Sequence, residues 1–357
     1  MGKKFALVTR HYNRSGYTAL RTLIEAGLPP SAIIVSDKTN TLSHLWKSCF
    51  VKLIQKVKCV YYRCDDLRFL DSEELLAKKH RIPVIRVDSL KKEKNEAIIK
   101  RLDLDLLVVA GGWHEKISPK IFNASREGTV NLHPSLLPNF KGTSITRWQI
   151  YEGIQTAGVT VHQMDDEFDS GKIVAQSTVP IPENSPPQTL FQILSLLGSS
   201  LLLQVLLESP VKTIYGSSEA LTVDKRYNKY YRKWQWTGDA LAVNTKNPLR
   251  DIHNHIIAAT QESYEYPGPK IRLDGSVFII RKSALAPRRY SEEEIGHANY
   301  KAEVRDTVLR WERHGEGTAL LIKQIQPCYP RHYLRRAHSP SKWFAEGSTV
   351  DISEVFE

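Results

Sequence analysis

Cysteine is scarce: Cys49, Cys59, Cys64 and Cys328 are the only four in 357 residues, and none forms a C-x-x-C pair. That excludes a disulfide-stapled scaffold and reads as reduced thiols in a cytosolic protein, with no zinc site. A secretory h-region is missing, because the apolar stretch after Lys4 (FALV) is far too short. A myristoylation site is missing as well, since position 6 is Ala where Ser or Thr is needed. No G-x-G-x-x-G follows the first apolar run. R-H-Y-N-R-S-G stands there instead, which argues against a nicotinamide dehydrogenase. No internal repeat or low-complexity tract occurs. Leu190–Leu207 carries no charge over 18 residues, but six of them are Ser, Gln or Gly and Pro186-Pro187 precede it. It reads as a buried helix rather than a membrane span.

The composition is otherwise ordinary, 41% hydrophobic and 25% charged, and the length predicts two or three domains at roughly 150 residues each. Fifty basic against 39 acidic residues leave a net charge of +11. The excess lies near the N-terminus: residues 1–60 hold ten Lys/Arg and two Asp/Glu, whereas 241–357 hold seventeen and fifteen. A field of one sign concentrates the opposite one, so an anionic ligand is expected.

Short apolar runs alternate with helical patterns through the first 110 residues. FALVT (5–9), AIIVS (32–36), PVIRV (83–87) and LDLLVVAGG (104–112) read as strands. Tyr17–Ala26 and the charged stretch 91–102 read as helices. This alternation predicts an α/β fold, a Rossmann-like and mostly parallel sheet with helices on both faces. Its ligands belong outside the carboxyl ends of the strands. Residues 38–63 interrupt the rhythm with apolar positions near helical spacing, interleaved with Lys47, Lys52, Lys56 and Lys58 and with Trp46, Tyr61 and Tyr62 nearby. They read as an amphipathic surface helix, with a polyanion-receiving insertion as the sharper alternative. GTVNLHP, GVTVHQM and KIVAQSTVPI are further strands, and TRWQIYEG and 188–207 are helices. Residues 209–245 read as a linker crossing the surface, followed by a short helix at 246–261. YPGPK, VFIIRKS, EVRDTVLRW and TALLIKQI then read as short strands divided by Pro/Gly turns, a small barrel or partial barrel, and the extreme C-terminus adds one more strand. The expected organisation is 1–208, a catalytic domain; 209–245, a linker; and 246–357, a small β domain of OB-like type.

In T-V-N-L-H-P, Val130 and Leu132 point one way along the strand and Asn131 and His133 the other. The amide and the imidazole therefore emerge together at the strand's carboxyl end. Pro134 and Pro138 stiffen the loop that follows, and Gly142 ends it. In G-V-T-V-H-Q-M-D-D-E-F-D-S-G (158–171), Asp169-Ser170-Gly171 has turn chemistry. Taken singly, Asp169 reads as a turn cap and His133 as a hydrogen-bonded structural histidine. A metal set of His133, His162 and Asp169 lacks any dedicated spacing, and no metal is expected.

Together, N-x-H-P-S-L-L-P, G-V-T-x-H and D-x-G resemble the N10-formyltetrahydrofolate-dependent formyltransferase family, strongly over about 80–207 and weakly before it. The resemblance implies catalytic roles for Asn131, His133 and Asp169, with His162 as a supporting, substrate-side histidine. A-G-G-W-H-E-K-I-S-P (110–119) resembles the family loop whose backbone lines the pterin pocket. It implies Gly112, His114, Glu115, Lys116 and Ile117 as donor-binding positions, with the 163–168 stretch, Asp166 within it, on the other side of the pocket. The donor implied is N10-formyltetrahydrofolate. Asn131 and His133 would stabilise charge on the formyl oxygen, and Asp169 would orient or charge His133 and relay the amine's proton through a water.

The catalytic residues do not name the acceptor. The β module resembles those of methionyl-tRNA formyltransferase and its sugar-modifying relatives, and glycinamide ribonucleotide enzymes lack it. T-R-H-Y-N-R-S-G-Y and G-T-S-I-T-R-W depart from the methionyl-tRNA enzyme's pattern. The favoured acceptor is therefore a nucleotide-linked amino sugar, its diphosphate meeting Arg10, Arg14 or Lys141. Methionyl-tRNA is second, and a free amine such as hydroxyornithine third. A cytoplasmic protein off the membrane, homodimeric through the β module by analogy, completes the expectation. A non-catalytic polyanion-binding protein is the alternative from another class.

Overall fold

The computed structural model describes residues 3–10, 13–36, 72–113, 115–208, 224–234, 241–260, 268–295, 300–328 and 337–353. The lysine-bearing segment 38–63, His114 and three of the four cysteines lie outside the described residues. The chain divides into two compact units that interleave along the sequence. Met1–Lys141, Ala157–Val179 and Gln192–Lys229 form one; Gly142–Thr156, Pro180–Phe191 and Tyr230–Glu357 form the other.

The strands in chain order begin with β1 (Phe5–Thr9), β2 (Ala32–Ser36), β3 (Val84–Val87), β4 (Leu106–Val109) and β5 (Thr129–His133). β6 (Lys141–Gly142), β7 (Thr156–Gln163), β8 (Ile173–Pro180) and β9 (Tyr230–Tyr231) follow. β3-β2-β1-β4-β5-β7-β8 make one seven-stranded sheet. β1 to β5 pair in parallel and β7 returns antiparallel on β5. β1, β2 and β4 are buried at every position, as apolar runs covered on both faces must be.

The helix after β1 begins at Arg14, three residues before the expected Tyr17. Asn13 caps it, its side chain accepting from the N–H groups of Ser15 and Gly16. Gly16 sits inside the helix because a Cβ there would lie 1.8 Å from Thr9 Oγ1. The charged stretch 91–102 is shorter than expected, one 3-10 turn at Glu93–Asn95 and a helix at Glu96–Arg101. The apolar helix Pro187–Leu207 is long and apolar enough to cross a membrane by composition, but half of its most apolar window is buried. Its Gly198 lets it approach β5, since a Cβ there would meet Leu132 Cδ1 at 2.9 Å.

In the second unit β10 (Lys270–Leu273), β11 (Ser276–Pro287), β12 (Tyr300–Arg305), β13 (Val308–Arg313), β14 (Thr318–Pro327) and β15 (Ile352–Ser353) form an antiparallel sheet. Its order is β12-β13-β14-β11-β10-β15. The two ends meet: Val304 N–H donates to Ser348 O at 3.0 Å and Val350 N–H to Ala302 O at 2.9 Å, just ahead of β15. The sheet is thus a near-barrel, which hides its edges. Phe278, Trp311 and Ile322 fill it, with Leu249, Ile252 and Ile256 of the helix Leu249–Ala259. EVRDTVLRW is a hairpin, not one strand: Asp306 and Thr307 both take positive φ and turn β12 into β13 without glycine. Within 209–245, Tyr231 and Trp234 are buried rather than spread over the surface.

Candidate active site

Strand pairing fixes the first half of the site. On β5 and β7, Asn131 stands opposite His162 and His133 opposite Thr160. Val130 and Leu132 face the core, as the period of two requires, so Asn131 and His133 project from the other face at the strand's end. The Asn131 amide donates from Nδ2 to His162 Nε2 at 3.0 Å, and His162 donates from Nδ1 to Gln163 O at 2.9 Å. One carbonyl thereby sets the whole chain of donors: Nδ1 carries the proton, Nε2 accepts, and the amide must present its NH2. Burial, reinforced by the nearby His133, pushes the His162 pKa down to about 4 and keeps the ring neutral. The second N–H of Asn131 has no hydrogen-bond partner among the described residues.

The carboxylate arrives from the β7–β8 connection. Asp169 Oδ1 lies 3.4 Å from His133 Nδ1 and 3.8 Å from His162 Nε2. Its backbone takes φ +53, a conformation Asp tolerates better than most residues. Gly171 is obligatory beside it, because a Cβ would sit 1.9 Å from Gln163 O. Lys141 Nζ donates to Ser170 Oγ at 3.0 Å and so reaches the same turn. His133 Nε2 donates to Phe140 O at 3.0 Å. Both His133 nitrogens thus face protein groups, and a proton on Nδ1 makes it an imidazolium against Asp169. The sequence reading gave His133 a donor for the formyl oxygen. In this geometry the unpartnered donor belongs to Asn131.

The proline-rich loop is held from β7 and β8. Thr160 Oγ1 donates to Ser135 O at 2.6 Å and accepts from Leu137 N at 3.1 Å, and Gln176 Nε2 donates to Leu137 O at 2.8 Å. Leu137–Pro138 is cis. Thr160 and Gln176 were not singled out from sequence. Thr160 was within reach of the period-two argument, since it shares its strand face with His162.

The other expected positions spread along the sheet's carboxyl edge. Gly112 is exposed at φ +66, with nothing within 4 Å of where a Cβ would be. Glu115 Oε1 accepts from Leu90 N at 2.7 Å and Trp113 Nε1 at 3.3 Å, which pins the loop. Lys116 and Asp166 are exposed. Ile117 is 1% exposed within the core, so only its backbone can meet a ligand. His114 lies outside the described residues. Arg10 follows β1, a strand two places from β5 and so about 10 Å across the sheet, and Arg14 opens the helix after it. Phe168, in the 163–168 stretch expected opposite the pocket, is 53% exposed next to Asp169. Among the described residues no group of three or more His, Cys, Asp or Glu is placed to hold a metal.

Residues 31–206 match the formyl transferase family. A methionyl-tRNA formyltransferase of Enterococcus faecalis is 26% identical over 254 residues, 70% of this chain and 75% of that protein. The bifunctional polymyxin resistance protein ArnA of Wigglesworthia glossinidia brevipalpis is 27% identical over 259 residues, 70% of this chain and 38% of that protein. Among solved structures, the sugar 3N-formyl transferase WlaRD, in the presence of dTDP and 5-N-formyl-THF, has a TM-score of 0.56 at 16% identity, covering 90% of this chain and 97% of its own. An N-formyltransferase of Helicobacter canadensis, in complex with folinic acid and dTDP-3-aminofucose, has a TM-score of 0.54 at 16% identity, covering 90% and 99%.

Proposed function

The chain belongs to the formyltransferase family, and from that premise we propose that it moves the formyl group of N10-formyltetrahydrofolate onto the primary amine of a nucleotide-linked amino sugar. The observation that carries the transfer chemistry is the meeting of Asn131, His133, His162 and Asp169 at one end of β5 and β7. The residues around it fit a reduced folate. Gly112 leaves an open stretch of backbone for the polar edge of a pterin, and Phe168 offers an exposed ring beside the turn. When bound, the folate supplies an activated formyl carbon and a nitrogen leaving group.

The chain's own residues do the rest. Asn131, its amide fixed by neutral His162, directs its second N–H to the oxygen that gathers negative charge; one such donor is worth roughly 10²–10³ in rate. His133 holds its Nε2 proton on Phe140 O, so only Nδ1 exchanges protons with Asp169. Asp169 accepts the proton that the attacking amine must lose and passes it to the departing nitrogen. No metal enters this scheme.

For the acceptor, the cationic Arg10, Arg14 and Lys141 at the same edge of the sheet suit a diphosphate. Methionyl-tRNA is the second reading, favoured by the named relatives that share about a quarter of their residues over 70% of the chain. The test offers N10-formyltetrahydrofolate with a panel of nucleotide-linked amino sugars and with methionyl-tRNA, and measures tetrahydrofolate release. Formylation of a sugar nucleotide upholds the proposal. Formylation of the tRNA alone replaces it, and binding should then weaken by about 0.7–0.9 log units per neutralised phosphate per decade of salt. Absence of transfer to every amine refutes it.

A further inference from the structure

We propose that Tyr227, in a turn 87 residues beyond Phe140 of the proline-rich loop, is a positioning residue for His133 and sets whether the ring nitrogen that faces Asp169 carries a proton. The inference rests on the transfer role assigned to His133 above. Phe140 is the link. Its backbone takes φ +57, a left-handed conformation that is strained for a non-glycine residue. Both of its peptide groups are engaged. Its N–H donates to Tyr227 O at 2.9 Å, and its C=O accepts from His133 Nε2 at 3.0 Å. The two aromatic rings stack with centroids 4.9 Å apart and planes 19° from parallel.

Tyr227 is held rigidly for this task. Its N–H donates to Asp224 O at 3.0 Å, closing a turn that Arg226 braces with a forked pair to the Asp224 carboxylate, Nη2 to Oδ2 at 2.7 Å and Nε to Oδ1 at 3.1 Å. The Arg226 guanidinium lies 5.1 Å from the centre of the Tyr227 ring. From the loop side Ser135 Oγ donates to Asn139 O at 2.8 Å, so Phe140 is gripped from both directions.

The consequence is chemical. A neutral imidazole has one N–H, and the partner of one nitrogen decides the state of the other. With Phe140 O fixed over Nε2, that nitrogen keeps the proton and Nδ1 presents its lone pair to Asp169. Released, Phe140 relaxes towards an ordinary φ, its carbonyl turns from the ring, and the Nδ1–H tautomer becomes available. Asp169 would then accept a hydrogen bond from His133 and lose basicity towards the amine.

The test uses the full chain labelled with 15N at histidine. Wild type should show His133 as the Nε2–H tautomer when neutral. Tyr227→Ala should give a mixture of tautomers and a displaced acid limb in the pH profile of kcat. It should lower kcat by about 2- to 10-fold, the loss expected when the ring stack on Phe140 goes while the Tyr227 backbone carbonyl stays. KM for the folate should stay within about twofold, since Tyr227 touches no donor-binding position. Tyr227→Phe keeps the stack and should restore both readouts. Asp224→Ala, which loosens the turn and leaves the ring, should reproduce a milder form of the defect and serves if Tyr227→Ala does not fold. A wild-type Nδ1–H tautomer, or a folded Tyr227→Ala with unchanged tautomer and unchanged kcat, overturns the inference. If no acceptor is ever formylated, the transfer role fails, while the spectra still decide what Tyr227 does to His133.

Discussion

Replacing His162 by Leu separates orientation from chemistry. The imidazole is 2% exposed, so Leu fills the space, but Asn131 loses the acceptor that selects its amide orientation. A single neutral hydrogen bond of this kind has a net value of about 1 kcal/mol, or about fivefold in the population of one orientation. kcat should therefore fall by roughly five- to tenfold, well short of the 10²–10³ expected when the Asn131 donor itself is removed. Because His162 acts through Asn131, the two losses should not add. The double variant Asn131→Ala/His162→Leu should turn over at the rate of Asn131→Ala alone in single-turnover formyl transfer followed by mass spectrometry. Additive losses would show that His162 works on the reaction independently, and the positioning argument would fall.

His253 is buried between Ser283 Oγ at 3.0 Å and Asn184 Oδ1 at 2.6 Å, and burial pushes its pKa down to about 4. The unfolded chain binds the proton near 6.5, so this residue's contribution to stability is complete above that pH and is lost as pH falls from 6.5 to 4, about 3 kcal/mol in all. Urea midpoints from pH 7 to 4.5 should decline less steeply in His253→Gln than in wild type, and equal slopes would contradict the assignment. Glu312 is fully buried and accepts from Arg289 N and Tyr290 N, both at 2.9 Å, and from Arg310. Glu312→Gln places amide hydrogens against those donors and should cost about 3 kcal/mol, seen as a fall of roughly 10 °C in Tm; a shift under about 2 °C would show that the network is dispensable. Gly198→Ala should destabilise by about 1–3 kcal/mol in urea titrations and lower kcat, because the new methyl presses on Leu132 directly beneath the site. A stable, fully active variant would mean that the helix gives way easily.

Much of this was legible in the sequence for a simple reason. Asn131, His133 and His162 lie on strands, and strand periodicity says which side chains share a face. Asp169-Ser170-Gly171 announced its own turn. Part of what escaped reading was held by backbone. Phe140 acts through its carbonyl and Tyr227 through its carbonyl and ring face, across 87 residues, and neither role leaves a residue pattern. Gly16 lies ahead of the helix start expected at Tyr17, yet it stands inside the helix because β1 passes too close for any side chain. Asp306-Thr307 hid a hairpin because two non-glycine residues take positive φ there.

The most direct test compares wild type with Asp169→Asn and Asn131→Ala, measuring formyl transfer to the best amine of the panel together with calorimetric affinity for a folate analogue. The geometry predicts that each variant binds the folate as wild type does while kcat falls by at least about 10². A variant that binds normally and keeps near-normal kcat would show that formyl transfer does not run through this cluster.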